Sequence, residues 1–124
     1  MSNIAIEKQL KDLRSDLEKC FAAETVYFFN EEIPSTGHCA IVAAIIYKRF
    51  GGNLVSAYVN GIKHWFNKID DYYIDLTGDQ FGFDPVQIKK DLYKDCLIRE
   101  WAHLNSTTLE RLEIMEEKLL QLGR

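Results

Sequence analysis

The chain has 124 residues and a formal charge of 15 − 19 = −4; 47% of residues are hydrophobic, 12% aromatic and 27% charged. That apolar fraction is too high for a disordered chain, and the length suits one domain, residues 1–124, burying roughly two-thirds of its unfolded surface. The mildly acidic balance gives no electrostatic footprint for nucleic acid or an anionic membrane, so neither is expected as a partner.

The chain opens MSNIAIEKQL, with no basic segment leading into an apolar core and a small-residue cleavage site, so no secretory signal is expected. Ile6, Leu10, Leu13, Leu17 and Phe21 recur at helical spacing among charged residues and predict an amphipathic helix, with Ser2 or Asn3 as its cap. Residues 24–29 are aromatic and fit no single pattern. After the turn-rich Pro34-Ser35-Thr36-Gly37-His38, the run from Cys39 to Phe50 is almost wholly apolar and stops at Gly51-Gly52. Its length and three alanines predict a helix buried on most sides, capped by Ser35 or Thr36, with Cys39 in the first turn. The apolar part, Cys39 to Tyr47, is too short to span a bilayer.

From Asn53 the pattern becomes that of strands. Residues 53–59 and 62–69 flank Asn60-Gly61, the strongest short signal for a type I′ hairpin. Asp70-Asp71 offers a second tight turn into residues 72–76, completing a three-stranded antiparallel meander. Residues 77–85 form a Gly/Asp-rich loop containing Phe81 and Phe83. Residues 86–104 fit a short strand or a helix equally well. A terminal helix follows, with Thr107 and Glu110 as a capping box and Leu109, Leu112, Met115, Leu119 and Leu122 on one face. The fold class expected is α+β, a buried central helix on a small antiparallel sheet flanked by N- and C-terminal helices.

Three cysteines, Cys20, Cys39 and Cys96, are an odd count in a chain without a recognisable signal, which argues against a disulfide framework and for a cytoplasmic location. Cys39 stands out. A thiol is nucleophilic as thiolate, and the unpaired N–H groups and dipole of a helix N-terminus favour that anion. The Cys39 amide is then free to face a developing oxyanion, and Gly37 lets a substrate approach the backbone closely. The competing reading makes Cys39 a small core residue at the head of an apolar helix.

The meander bears on that choice. With a two-residue turn at Asp70-Asp71, paired positions sum to 141, so His64 faces Thr77 and Asp75 becomes its diagonal neighbour on the same sheet face, roughly 5–8 Å away. Asp75 could accept Nδ1–H of the imidazole and leave Nε2 aimed at the thiolate. A turn of odd length would put the two on opposite faces. Asp75 sits between Ile74 and Leu76, and a carboxylate in so apolar a stretch needs a specific partner. Trp65, Phe66, Tyr72, Tyr73 and Phe81 read as core or cleft wall. His38, Cys39, His64 and Asp75 are residue types that suit zinc but lack the spacing of familiar zinc sites, so no metal or other cofactor is expected.

The block from Ser35 to Ala40, the Gly51-Gly52 break, His64-Trp65-Phe66-Asn67, and Asp75-Leu76-Thr77 followed by Asp79-Gln80-Phe81 resemble the bacterial YunG-like family. That pattern is in turn similar to the papain-like fold group, which includes transglutaminase-like and NlpC/P60-type thiol enzymes. The resemblance covers roughly residues 34–83. It implies a papain-like core with Cys39 as nucleophile, His64 as general base and acid, and Asp75 as the orienting member. His38 stands where the family commonly has glutamine, and upstream of Cys39 only Glu31, Glu32 and the Pro34 turn are available as an oxyanion-hole element. Gln80, Asn67 or the Cys39 amide is therefore the candidate donor, with Gly37, His38 and Trp65 as further candidates for substrate contact. The implied reaction is thiol hydrolysis or acyl transfer on a small-molecule or peptide substrate through a thioester. The alternative is a non-catalytic ligand-binding module.

Overall fold

The computed structural model describes residues 5–22, 25, 31–33, 35 and 37–123. Helix α1 spans Glu7–Cys20, α2 Cys39–Phe50 and α3 Ser106–Gln121; the strands are β1 Asn53–Val59, β2 Ile62–Ile69, β3 Tyr72–Asp75, β4 Gln87–Lys89 and β5 Leu97–Arg99. All strand pairs are antiparallel, in the order β4-β3-β2-β1-β5. The described residues are thus α+β, with the predicted meander at the centre and an extra strand on each edge. Those edge strands have only three residues each and lack an alternating pattern, and Leu97 and Ile98 of β5 are exposed. Nothing in residues 86–104 marks them as strands until the neighbouring edge supplies hydrogen-bonding partners.

The central elements have the boundaries their signals predict. Asn60 and Gly61 both adopt positive φ, as a type I′ turn requires, and Gly51 ends α2 at φ +79 with its N–H on the Tyr47 carbonyl. Asp70-Asp71 forms the second turn, pairing Ile69 with Tyr72 and Asn67 with Ile74, the register that sums to 141.

The predicted helix caps differ. Ile6 precedes α1, while Ser2 and Asn3 lie outside the described residues. His38 precedes α2 without a side-chain cap; Ser35 instead turns its hydroxyl to Asp79, and Thr36 lies outside the described residues. At α3 the cap is Asn105, whose side chain accepts the Thr108 N–H at 2.7 Å. Thr107 is already inside the helix, so it does not form the expected capping box. Residues 24 and 26–29 of the aromatic stretch also lie outside the described residues.

The sheet separates two apolar clusters. On one face α1, α2 and α3 bury Leu10, Leu17, Ile45 and Met115 against Leu54, Trp65, Ile69 and Ile74. On the other, Val55, Ala57 and Phe66 meet Leu92, Tyr73, Tyr93 and Cys96. The helical face supplies most of the core, because α2 is apolar nearly all round and needs cover from sheet and helices together. No described helix is long and apolar enough to cross a membrane.

Candidate active site

Alternation along β2 sends His64 and Phe66 away from Trp65 and Asn67. β3 ends at Asp75, two residues short of the position that would pair with His64, and the chain leaves the sheet there through a 3₁₀ turn, Gly78–Phe81. The imidazole therefore stands at the sheet's open corner. Its ring is fully buried, with the edges of Phe81 and Tyr93 at centroid distances of 4.9 and 5.6 Å and Phe66 stacked at 5.9 Å.

His64 Nε2 lies 2.8 Å from Asp75 Oδ2. The expected pair is present, with the ring reversed: Nε2 faces the carboxylate, and Nδ1 is left for the sulfur. Cys39, half-buried at the head of α2, is near enough to this imidazole for its sulfur to help hold the ring's proton. Nε2–H donates to Asp75, so Nδ1 is the nitrogen that can exchange a proton with the thiol. Burial alone would lower the His64 pKa, but the hydrogen bonds and negative charge of Asp75 and Cys39 outweigh it and raise the value from 6.5 to about 9. A proton received from Cys39 is thus well held.

Asp75 is itself buried and saturated with donors. Oδ1 accepts the Thr77 N–H at 2.9 Å and the Thr77 hydroxyl at 3.3 Å; Oδ2 accepts the Tyr93 hydroxyl at 2.5 Å as well as the imidazole. Gln87 Nε2 donates to the Tyr93 oxygen at 3.0 Å. The donors fix the direction of the carboxyl group. Reading the sequence missed Thr77 and Tyr93. For Thr77 a signal exists, since an aspartate commonly accepts the N–H two residues on. Tyr93 carries none: an aromatic residue held at φ +61, it reaches Asp75 by a loop that the sequence does not describe.

The remaining candidates divide. Gly37 and Gln80 come to the site: the Gly37 N–H donates to Gln80 Oε1 at 3.3 Å, and Gln80 Nε2 lies 3.4 Å from His64 Nδ1. His38 does not; it is fully buried, its ring 4.5 Å from Phe21 and its Nε2 2.5 Å from the Thr25 hydroxyl. Trp65 lies on the opposite face of β2 from His64, with the Lys63 ammonium and the Arg99 guanidinium 5.9 and 5.2 Å from its ring centre. Asn67 donates to the Ala43 carbonyl at 2.9 Å and ties β2 to α2 one turn below Cys39. Among the described residues no three His, Cys, Asp or Glu side chains are grouped as metal ligands would be.

A second network locks the loops around the sulfur. The buried Arg14 of α1 donates to Asp79 Oδ2 at 2.9 Å, and the Ser35 hydroxyl donates to Asp79 Oδ1. Asp79 thus ties the strand-end turn to the segment entering α2 and to the N-terminal helix. The other two thiols are differently placed. Cys20 is in the core and Cys96 donates to the Leu92 carbonyl at 3.2 Å; burial pushes both thiol pKa values up.

The model of the YunG protein family matches residues 9–122. The chain belongs to the YunG family. It is 36% identical over 96 residues to "Uncharacterized protein YunG" of Bacillus subtilis (strain 168), an alignment covering 73% of this chain and 83% of that protein. No solved structure matches the chain. The span of the YunG match includes α1 and α3 as well as the motif region, so both flanking helices belong to the unit the family shares.

Proposed function

We propose that this YunG-family chain is a thiol hydrolase or acyltransferase of papain-like architecture acting on an amide or peptide-like substrate. The observation that carries the reading is the imidazole of His64, held by Asp75 through Nε2 and lying near Cys39, which heads a buried helix. A cysteine opening a helix that packs on an antiparallel sheet, with base and acid on neighbouring strands, is the arrangement the papain-like comparison rests on.

In this mechanism His64 Nδ1 holds the proton taken from Cys39, and the thiolate attacks the acyl carbon. Asp75 holds the ring and offsets the charge of the imidazolium, while the Gly37 N–H and the first-turn amides of α2, which have no helical partner, serve the developing oxyanion. His64 returns the proton to the leaving amine. Water or an acceptor amine, activated by the same nitrogen, then resolves the thioester. The rings of Phe81 and Tyr93 stand against His64, which suits a short or slender acyl group.

Acylation with p-nitrophenyl acetate, followed by peptide mass spectrometry, tests the reading. Cys39 is expected to carry the acetyl group and turn it over, with Cys39→Ser abolishing turnover and His64→Ala slowing it by about 10²–10⁴-fold. Acetylation spread evenly over Cys20, Cys39 and Cys96, or unaffected by loss of His64, would contradict it and leave the binding-module alternative.

A further inference from the structure

Gln80 lies in the turn that leads away from Asp75, and its carboxamide is oriented on both sides. Oε1 accepts the Gly37 N–H at 3.3 Å; Nε2 donates to the Thr77 carbonyl at 3.0 Å and lies 3.4 Å from His64 Nδ1. Flipping the amide would set its NH₂ against the Gly37 N–H and its oxygen against the Thr77 carbonyl, so these neighbours fix which end is which. A carboxamide attacked by Cys39 needs a similar setting: its oxygen on a backbone N–H, and its nitrogen beside the imidazole nitrogen that will protonate it. Gln80 makes both of these contacts from within the protein.

We propose that Gln80 is a resident stand-in for the substrate, and that the site takes an unsubstituted primary carboxamide which enters by displacing it; this rests on the thiol-hydrolase reading above. Restriction to a primary amide follows from the two N–H groups. One is directed to the Thr77 carbonyl and the other faces Nδ1, so an N-alkyl group would collide with one of these partners or leave it unpaired. The stand-in also restrains the thiol, because the Gln80 carboxamide and the Cys39 sulfur share the single Nδ1 edge of the ring. Gln80 is partly exposed and Gly37 exposed, so the side chain can swing outward on its three rotatable bonds while the turn stays folded.

The reaction balances with water alone. The Cys39 sulfur bonds to the carboxamide carbon as its proton moves to Nδ1; that proton passes to the nitrogen, the C–N bond breaks and ammonia leaves. Water adds to the thioester, the C–S bond breaks, and a carboxylic acid and the thiol result.

Propionamide, the free counterpart of a glutamine side chain, is the probe, and the readout is iodoacetate labelling of Cys39 resolved by peptide mapping. Gln80→Ala is expected to label roughly two- to tenfold faster than wild type, the value of one neutral hydrogen bond. Propionamide should slow labelling of Cys39 and release ammonia, whereas N-methylpropionamide and propionate should do neither. Unchanged or slower labelling of folded Gln80→Ala, equal protection by N-methylpropionamide, or no protection by propionamide would overturn the proposal. The amide comparison uses wild-type protein and stands even where Gln80→Ala fails to fold. A parallel His64→Ala sample separates the two levels: labelling that still depends on His64 while the amide results fail removes only the stand-in, whereas labelling indifferent to His64 removes the thiol reading beneath it.

Discussion

Replacing Tyr93 by phenylalanine isolates one hydroxyl in the support of Asp75. The ring can keep its place against His64 and Phe66, at 5.6 and 5.2 Å, so apolar packing is retained. Two hydrogen bonds are lost: the 2.5 Å bond to Asp75 Oδ2 and the 3.0 Å bond from the buried Gln87 amide. A bond to a charged acceptor contributes about 1.5–3 kcal/mol, and leaving a buried donor unpaired costs about 1–3 kcal/mol. Asp75 retains the Thr77 N–H, the Thr77 hydroxyl and His64, and Gln87 can reorient, so the sum is an upper bound. A net loss of about 2–3 kcal/mol is expected in urea denaturation at neutral pH, seen as a lower midpoint with unchanged slope. Tyr73→Phe is the control: Tyr73 packs on Phe66 at 6.0 Å on the same sheet face, has no hydrogen bond to Asp75, and should change stability by less than about 0.5 kcal/mol. Equal effects of the two substitutions, or a gain in stability from Tyr93→Phe, would refute the assignment of Tyr93 as a support of the buried carboxylate.

Stability should also depend on pH through His64. Its pKa is raised on folding from 6.5 to about 9, so the folded state binds the proton more tightly; the contribution is complete below pH 6.5 and is lost as pH rises through 9. The urea midpoint of wild type should therefore fall relative to that of His64→Gln across this interval, and a constant difference would contradict the pairing. Gly52→Ala should destabilise by more than about 2 kcal/mol, since φ is +76 and a Cβ would sit 2.3 Å from the Lys68 carbonyl oxygen; thermal melting checks this, and an unchanged midpoint would refute it. Asp79→Asn should loosen the Arg14 and Ser35 attachments and slow Cys39 labelling, with Cys96 labelling unaltered as the internal reference.

What could be read from the sequence follows the strength of local signals. Asn60-Gly61 and Gly51-Gly52 need positive φ, so the hairpin and the end of α2 are dictated by a few residues. The two-residue Asp70-Asp71 turn then sets the register, and the register alone brings Asp75 to His64. The rest depends on distant parts of the chain. Which imidazole nitrogen meets Asp75 is decided by rings packed around His64 from residues 81 and 93, and no spacing in the sequence conveys it. β4 and β5 are strands because the meander presents two open edges, and Asn67, Trp65 and His38 have polar groups or rings that serve helix–sheet packing instead of the site.

Competitive labelling of the three thiols with a limiting electrophile, followed across pH in wild type and His64→Ala, addresses the central claim most directly. Cys39 should react at least about tenfold faster than Cys20 or Cys96 near neutral pH, and removing the imidazole should erase most of that lead. If Cys39 reacts no faster than the other two, or keeps its advantage without His64, the sulfur and the imidazole are neighbours without being a catalytic pair.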